Sequence, residues 1–121
     1  MRTLLIADDS KTSQMLVQGA LARMPDVEIL TVGDGEAALE LIRSRPVSLL
    51  ITDINMPRLD GVGLVRAVRL IKPVEELPIV MITAKGDALA AEGLKLGANV
   101  LITKPISRAE LVSAVEKLLG P

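Results

Sequence analysis

Four polar points in this chain share one context, for each stands at the end of a run of aliphatic residues. Asp8-Asp9 follows Thr3-Leu4-Leu5-Ile6-Ala7, and Asp53 follows Val47-Ser48-Leu49-Leu50-Ile51-Thr52. Thr83 closes Pro78-Ile79-Val80-Met81-Ile82-Thr83, and Lys104 follows Asn99–Thr103. Three carboxylates, a hydroxyl and an ammonium are a usable set once they meet. Carboxylates held close together repel and raise one another's pKa unless a cation is present. Lys104 supplies one positive charge, which is not enough, so a divalent ion is the natural resolution. Oxygen ligands without His or Cys select hard cations of the Mg²⁺ kind, which take one or two carboxylates plus phosphate oxygens. A carboxylate nucleophile forms an aspartyl-phosphate. Phosphoryl transfer depends mainly on positioning and charge neutralisation, so no histidine base is needed. The chemistry predicted is acceptance of a phosphoryl group by Asp53.

The elements that must position these residues are legible as strands and helices. The apolar runs are too short for helices and read as buried strands, with a further strand at Val27–Val32. Pro57 and Asp60-Gly61 require the third strand to stop near Asp53. Between the strands lie helical patterns. Ser10 is the predicted cap of the first, with Met15, Leu16, Ala20 and Met24 as its face and Pro25-Asp26 as its end. Asp34 or Gly35 starts the second, with Ala37, Ala38, Leu41 and Ile42 inward; Arg43 and Arg45 suit its last turn and Pro46 stops it. Leu64, Val65, Val68 and Ile71 line the third, closed by Pro73. Gly86-Asp87 opens the fourth through Leu89, Ala90, Leu94 and Leu96, with Gly93 weakening it and Gly97 at its end. Ser107 and Glu110 form a capping-box pattern before Leu111, Val112, Val115, Leu118 and Leu119, and Gly120-Pro121 ends the chain's last helix. Strict alternation of strand and helix means a parallel sheet covered on both faces, so all strand tips point the same way. Four of the five then deliver polar groups to one edge, where open α/β sheets bind ligands.

Composition narrows the function. The 121 residues suit one domain, and 50% are apolar, enough for a core without staples. Cys and His are absent, which removes disulfides, thiolate metal sites and the commonest base. A net charge of −1 without a basic run argues against nucleic-acid and polybasic membrane surfaces. No stretch approaches a membrane span, and the first strand begins too early for a signal peptide, so a cytoplasmic location is expected. Phe, Tyr and Trp are absent as well, which suggests a restricted alphabet. The methionines are read as core filler.

The chain resembles the receiver domains of response regulators, of the stand-alone chemotaxis type, over essentially its whole length. Asp53-Ile54-Asn55-Met56-Pro57-Arg58-Leu59-Asp60-Gly61 matches that family's D-x-x-M-P-x-x-D-G loop, a specific signal. Asp8-Asp9 is similar to its acidic pair, Thr83-Ala84 to its switch hydroxyl with a small neighbour, and Gly97-Ala98 with Thr103-Lys104-Pro105 to its fifth-strand signature. The resemblance implies one receiver domain over residues 1–121, a flavodoxin-like three-layer (βα)5 sandwich with strand order 2-1-3-4-5. It implies Asp53 as phosphoacceptor and Mg²⁺ held directly by Asp9, Asp53 and the Asn55 backbone carbonyl, with Asp8 acting through water. Thr83 and Lys104 would contact the phosphoryl group, and the Lys104-Pro105 bond would be cis. The implied donor is a histidine kinase or phosphotransfer protein, and the output is binding to a downstream protein, with no DNA-binding domain and no membrane. The protein would be a monomer and not an enzyme, beyond promoting its own phosphorylation and dephosphorylation. Two positions depart from the family. Leu101 stands where Tyr or Phe is common, and Ile106 where Phe is usual.

Blander readings exist for each residue alone: a helix-start acid pair, an Asx turn at Asp53, a satisfied hydroxyl, a solvated lysine. Their placement at four matching strand ends makes coincidence the weaker explanation. Gly33-Asp34-Gly35-Glu36-Ala37-Ala38 imitates a dinucleotide fingerprint, with Asp53 about 20 residues on. Asp34 and Glu36 would set negative charge against a pyrophosphate, and the preceding strand is the second, so this reading is set aside. The alternative from another class is a designed or simplified receiver fold without signalling, favoured by the missing aromatics and Leu101. Mg²⁺ titration separates the two.

Overall fold

The structure, a computed structural model, describes residues 1–120; Pro121, read with Gly120 as the stop of the last helix, lies outside the described residues. The elements run β1 (Arg2–Ala7), α1 (Lys11–Leu21), β2 (Val27–Val32), α2 (Gly35–Ser44), β3 (Leu49–Asp53), α3 (Gly61–Ile71), β4 (Ile79–Thr83), α4 (Ala90–Leu96), β5 (Val100–Thr103) and α5 (Arg108–Leu119). The five strands are parallel in the order β2-β1-β3-β4-β5, as expected.

Side chains alternate across a pleated strand, so the inner strands must be apolar on both faces. Leu4, Ile6, Leu49, Ile51, Val80 and Ile82 pack with Val17, Leu21, Leu111 and Val115 on the α1/α5 side. Leu5, Ala7, Leu50, Ile79 and Met81 pack with Ala38, Ile42, Leu64, Val65 and Val68 under α2, α3 and α4. Two apolar layers, one on each side of the sheet, clamp the paired strands whose tips lie side by side.

Four helices start on a side-chain cap, which satisfies an otherwise orphaned N–H. Ser10, Asp34, Asp60 and Ser107 accept from Ser13, Ala37, Gly63 and Glu110 respectively. Of these, Ser10, Asp34 and Ser107 were expected as caps, and Asp60 was not. The helix α4 differs from expectation. Gly86 (φ +81°) and Asp87, whose Oδ1 accepts from Leu89 at 2.9 Å, make a turn rather than a helix start. The helix begins only at Ala90, lacks a side-chain cap, and ends at Gly97 (φ +121°).

Two further expectations are corrected, and one glycine gains a second role. The buried face of α1 is Gln14, Val17, Ala20 and Leu21, while Met15 and Leu16 are 70% and 62% exposed. Gln14 is polar, so a purely hydrophobic stripe was drawn one step around the helix from the real one. Met15 is accordingly not core filler, unlike the buried Met81. Ile71 and Leu94, expected on buried helix faces, are also exposed. Finally, Gly93 is buried, and a Cβ there would meet the Met81 thioether, so its small size lets α4 sit on β4.

Candidate active site at the carboxyl edge of the sheet

β1 and β3 are neighbours, and their tips bring the acids together. One carboxylate oxygen from each of Asp8, Asp9 and Asp53 lies within 4.8 Å of the others. Asp8 is 2% exposed, Asp53 is 7% exposed and Asp9 faces solvent. Asp8 is fixed through Oδ1, which accepts from the Ser10 N–H at 2.9 Å, and through its own N–H, which donates to Val32 at 3.1 Å. Asp53 Oδ1 accepts from the Ile54 N–H at 2.9 Å, leaving Oδ2 toward the open edge. From β5, Lys104 reaches Asp53 Oδ2 with its Nζ at 3.4 Å. The Lys104-Pro105 peptide that follows is cis, as the resemblance implies. Thr83 is buried at the tip of β4, and its hydroxyl donates to the Ala84 carbonyl at 3.1 Å rather than to Asp53. Asn55 is exposed on the loop between β3 and α3.

The electrostatics match this crowding. Burial pushes the Asp8 carboxyl above its ordinary range, the charges of Asp53 and Asp9 push it further, and the Ser10 N–H and Lys104 oppose the rise. Three acids against one ammonium leave negative charge in excess, and every donor is an oxygen. That donor set fits a hard divalent cation and no softer metal.

Space at the site is set by two glycines. A Cβ on Gly61 would meet the Asp53 carbonyl and the Ile54 backbone, and Gly61 itself donates to the Ile54 carbonyl at 2.7 Å. A Cβ on Gly35 would meet the Leu59 carbonyl, so the loop after β3 lies directly on the first turn of α2. Of the two glycines that imitate a dinucleotide fingerprint, Gly35 thus serves loop packing, and Asp34 between them is a helix cap.

Sequence reading missed three residues that brace the site. Gln14 donates through Nε2 to the Asp8 carbonyl at 2.6 Å and the Val32 carbonyl at 3.2 Å, tying the tips of β1 and β2. Its signal was available: position 14 shares a helical face with Val17 and Leu21. Asp34 and Arg58 form an ion pair across two loops at 3.0 Å. Nothing in their sequence spacing announces it.

The family model of the response regulator receiver domain matches residues 4–116. The chemotaxis protein CheY homolog of Campylobacter jejuni is 37% identical over 119 residues, 97% of this chain and 92% of that protein. Chemotaxis protein CheY1 of Helicobacter pylori is also 37% identical over 119 residues, covering 97% of this chain and 96% of its own. Among solved structures, the receiver domain of NtrX from Brucella abortus superposes with a TM-score of 0.87 at 31% identity, over 96% of this chain and 97% of that one. The receiver domain of the Francisella response regulator 1452 gives 0.86 at 28% identity, over 98% and 97%. With the fold, the acidic strand tips and these matches in agreement, the chain belongs to the response regulator receiver domain family, of the chemotaxis CheY type.

Proposed function

We propose that this protein is a phosphoacceptor of two-component signalling, taking a phosphoryl group onto Asp53 from a phosphohistidine of a kinase or phosphotransfer protein. The observation that carries this is the convergence of three carboxylates within 4.8 Å beside an ammonium 3.4 Å from Asp53. Asp9, Asp53 and the Asn55 carbonyl, with Asp8 through water, would hold Mg²⁺, which neutralises charge on the transferring group. An Asp53 carboxylate oxygen attacks phosphorus; the P–O bond forms as the P–N bond to imidazole breaks, and the leaving imidazole keeps the electron pair. Lys104 is placed to neutralise a phosphoryl oxygen. The Thr83 hydroxyl exchanges the Ala84 carbonyl for another phosphoryl oxygen, which frees the turn ahead of α4. That helix is seven residues long and uncapped, so it is the element such a change would bias.

In this reading residues 1–121 act as one cytoplasmic, monomeric receiver domain that signals by binding a downstream protein and has no enzymatic turnover of other substrates. Met15 and Leu16, exposed on the helix that starts beside the acidic pair, suit a protein donor. Among the described residues no helix is long and apolar enough to cross a membrane. Incubation with a small phosphodonor in Mg²⁺ and in EDTA, followed by intact mass, tests the proposal. One phosphoryl adduct in Mg²⁺ alone is expected, and no adduct in either condition refutes it. The inert-scaffold reading is favoured by Leu101, which packs half-buried among aliphatic side chains at a position where the resemblance implies a Tyr or Phe. An absence of any Mg²⁺ stabilisation would select it.

A further inference from the structure

We infer that the Asp34–Arg58 ion pair is a positioning clamp for the loop that presents the Asn55 carbonyl, and that it sets the affinity of the site for Mg²⁺. The inference rests on the phosphoacceptor reading and adds to it two residues outside the acidic cluster. The loop from Ile54 to Asp60 is fixed at its exit, where Gly61 donates to the Ile54 carbonyl at 2.7 Å and Asp60 caps α3. Its middle is held differently. Arg58 has φ +67°, a left-handed backbone that costs a side-chain-bearing residue and that glycine adopts freely. A backbone bond from the Leu59 N–H to the Pro57 carbonyl at 2.7 Å closes the turn around Arg58 locally, and the side chain ties that turn to another element. Arg58 donates through Nε to Asp34 Oδ2 at 3.0 Å, and its Nη2 lies 3.0 Å from the same oxygen as an ion pair. The Asp34 carboxylate cannot swing away, because Oδ1 accepts from the Ala37 N–H at 2.8 Å as the cap of α2. Leu59 then lies against Gly35, where no Cβ would fit. Among the described residues this is the one ion pair reaching from the loop to another element. Groups that hold a ligand-bearing segment tune metal affinity without touching the metal.

Two variants release the clamp while sparing the fold. Arg58→Gly removes the guanidinium and the backbone cost together. Asp34→Asn removes the charge and keeps a good helix cap. Mg²⁺ binding is measured by calorimetric titration, and stability in EDTA by thermal unfolding. Each variant is expected to bind Mg²⁺ about fivefold more weakly, the most that a half-exposed pair supports. Arg58→Gly should nonetheless unfold in EDTA at or above the wild-type temperature, an opposition that loss of a merely structural contact would not give. The double variant should be no weaker than either single, as for partners in one interaction. Wild-type affinity in both single variants, or losses that multiply in the double, overturns the clamp. A wild-type chain that does not bind Mg²⁺ overturns instead the reading of the site on which the clamp rests.

Discussion

Replacing Asp8 with Asn should stabilise this protein without metal and cripple it with metal. Asp8 is buried, and its carboxylate lies within 4.8 Å of that of Asp53, also buried. Two unit charges 4.8 Å apart repel by about 3 kcal/mol at the effective dielectric of about 20 that suits such sites. Asp9 is exposed and screened, so it adds little. Burial adds to the cost of the charged form, while the Ser10 N–H and Lys104 return part of it, leaving a net gain of about 2 kcal/mol for the neutral amide. Asn keeps an oxygen for the Ser10 N–H, so no hydrogen bond is lost. For a domain of this size the gain is about 8 °C in the unfolding temperature in EDTA. Saturating Mg²⁺ reverses the order. At a hundredfold excess over its dissociation constant the ion stabilises wild type by about 2.7 kcal/mol, and the variant, one charge short, by far less. The chain has no aromatic residue, so unfolding is followed by far-ultraviolet circular dichroism or calorimetry. An Asp8→Asn protein less stable than wild type in EDTA, or one that keeps the wild-type gain with Mg²⁺, refutes the electrostatic account.

The same group fixes a pH dependence. Burial raises the Asp8 pKa in the fold above its unfolded value, so the metal-free protein should gain stability from Asp8 as pH falls through the folded pKa, and Asp8→Asn should abolish that gain in acid unfolding curves. Asp34 has the opposite sign: the Ala37 N–H first, then Arg58, lower its pKa, so its contribution is complete above the ordinary carboxylate range and is lost as pH falls through the folded value. Gly61→Ala should cost about 3 kcal/mol or more in thermal unfolding, because its Cβ meets backbone of Asp53 and Ile54 that cannot yield, and it should weaken Mg²⁺ binding as well. Arg69→Ala should cost about 3 kcal/mol with Mg²⁺ affinity unchanged. Burial lowers the pKa of the Arg69 guanidinium, which ties the Gly97, Lys72 and Leu77 carbonyls and Asn99 Oδ1 at the far edge of the sheet, away from the acids.

What was legible in the sequence was whatever obeys a short-range rule. Aliphatic runs bounded by Pro and Gly located all five strands within two residues, and alternation with helices fixed the parallel sheet. Once the strands are parallel, Asp8, Asp53, Thr83 and Lys104 must share an edge, so the acidic tips were readable before any coordinates. The departures have a common cause. Gln14 is a polar residue on a buried face, which a hydrophobic count discards, although backbone carbonyls at two strand tips satisfy it. The start of α4 was drawn too early because Gly86-Asp87 imitates a cap while the turn it makes consumes that cap. Gly93, a poor helix former, also faces Met81, a residue 12 positions away on β4, which local propensity does not reveal. The Asp34–Arg58 pair joins two loops across 24 residues and leaves no local trace. Burial of polar groups and long-range loop contacts are tertiary facts, and pattern reading reaches them only after the fold is assembled.

The central claim is that Asp53 accepts the phosphoryl group. Acyl phosphates are reduced by borohydride whereas free carboxylates are not, so treating the chain with Mg²⁺, a small phosphodonor and then borohydride marks the acceptor, which peptide mass mapping locates. Reduction at position 53 alone, absent without Mg²⁺, is the result predicted; a mark on Asp8, Asp9 or any other acid with Asp53 intact would contradict it.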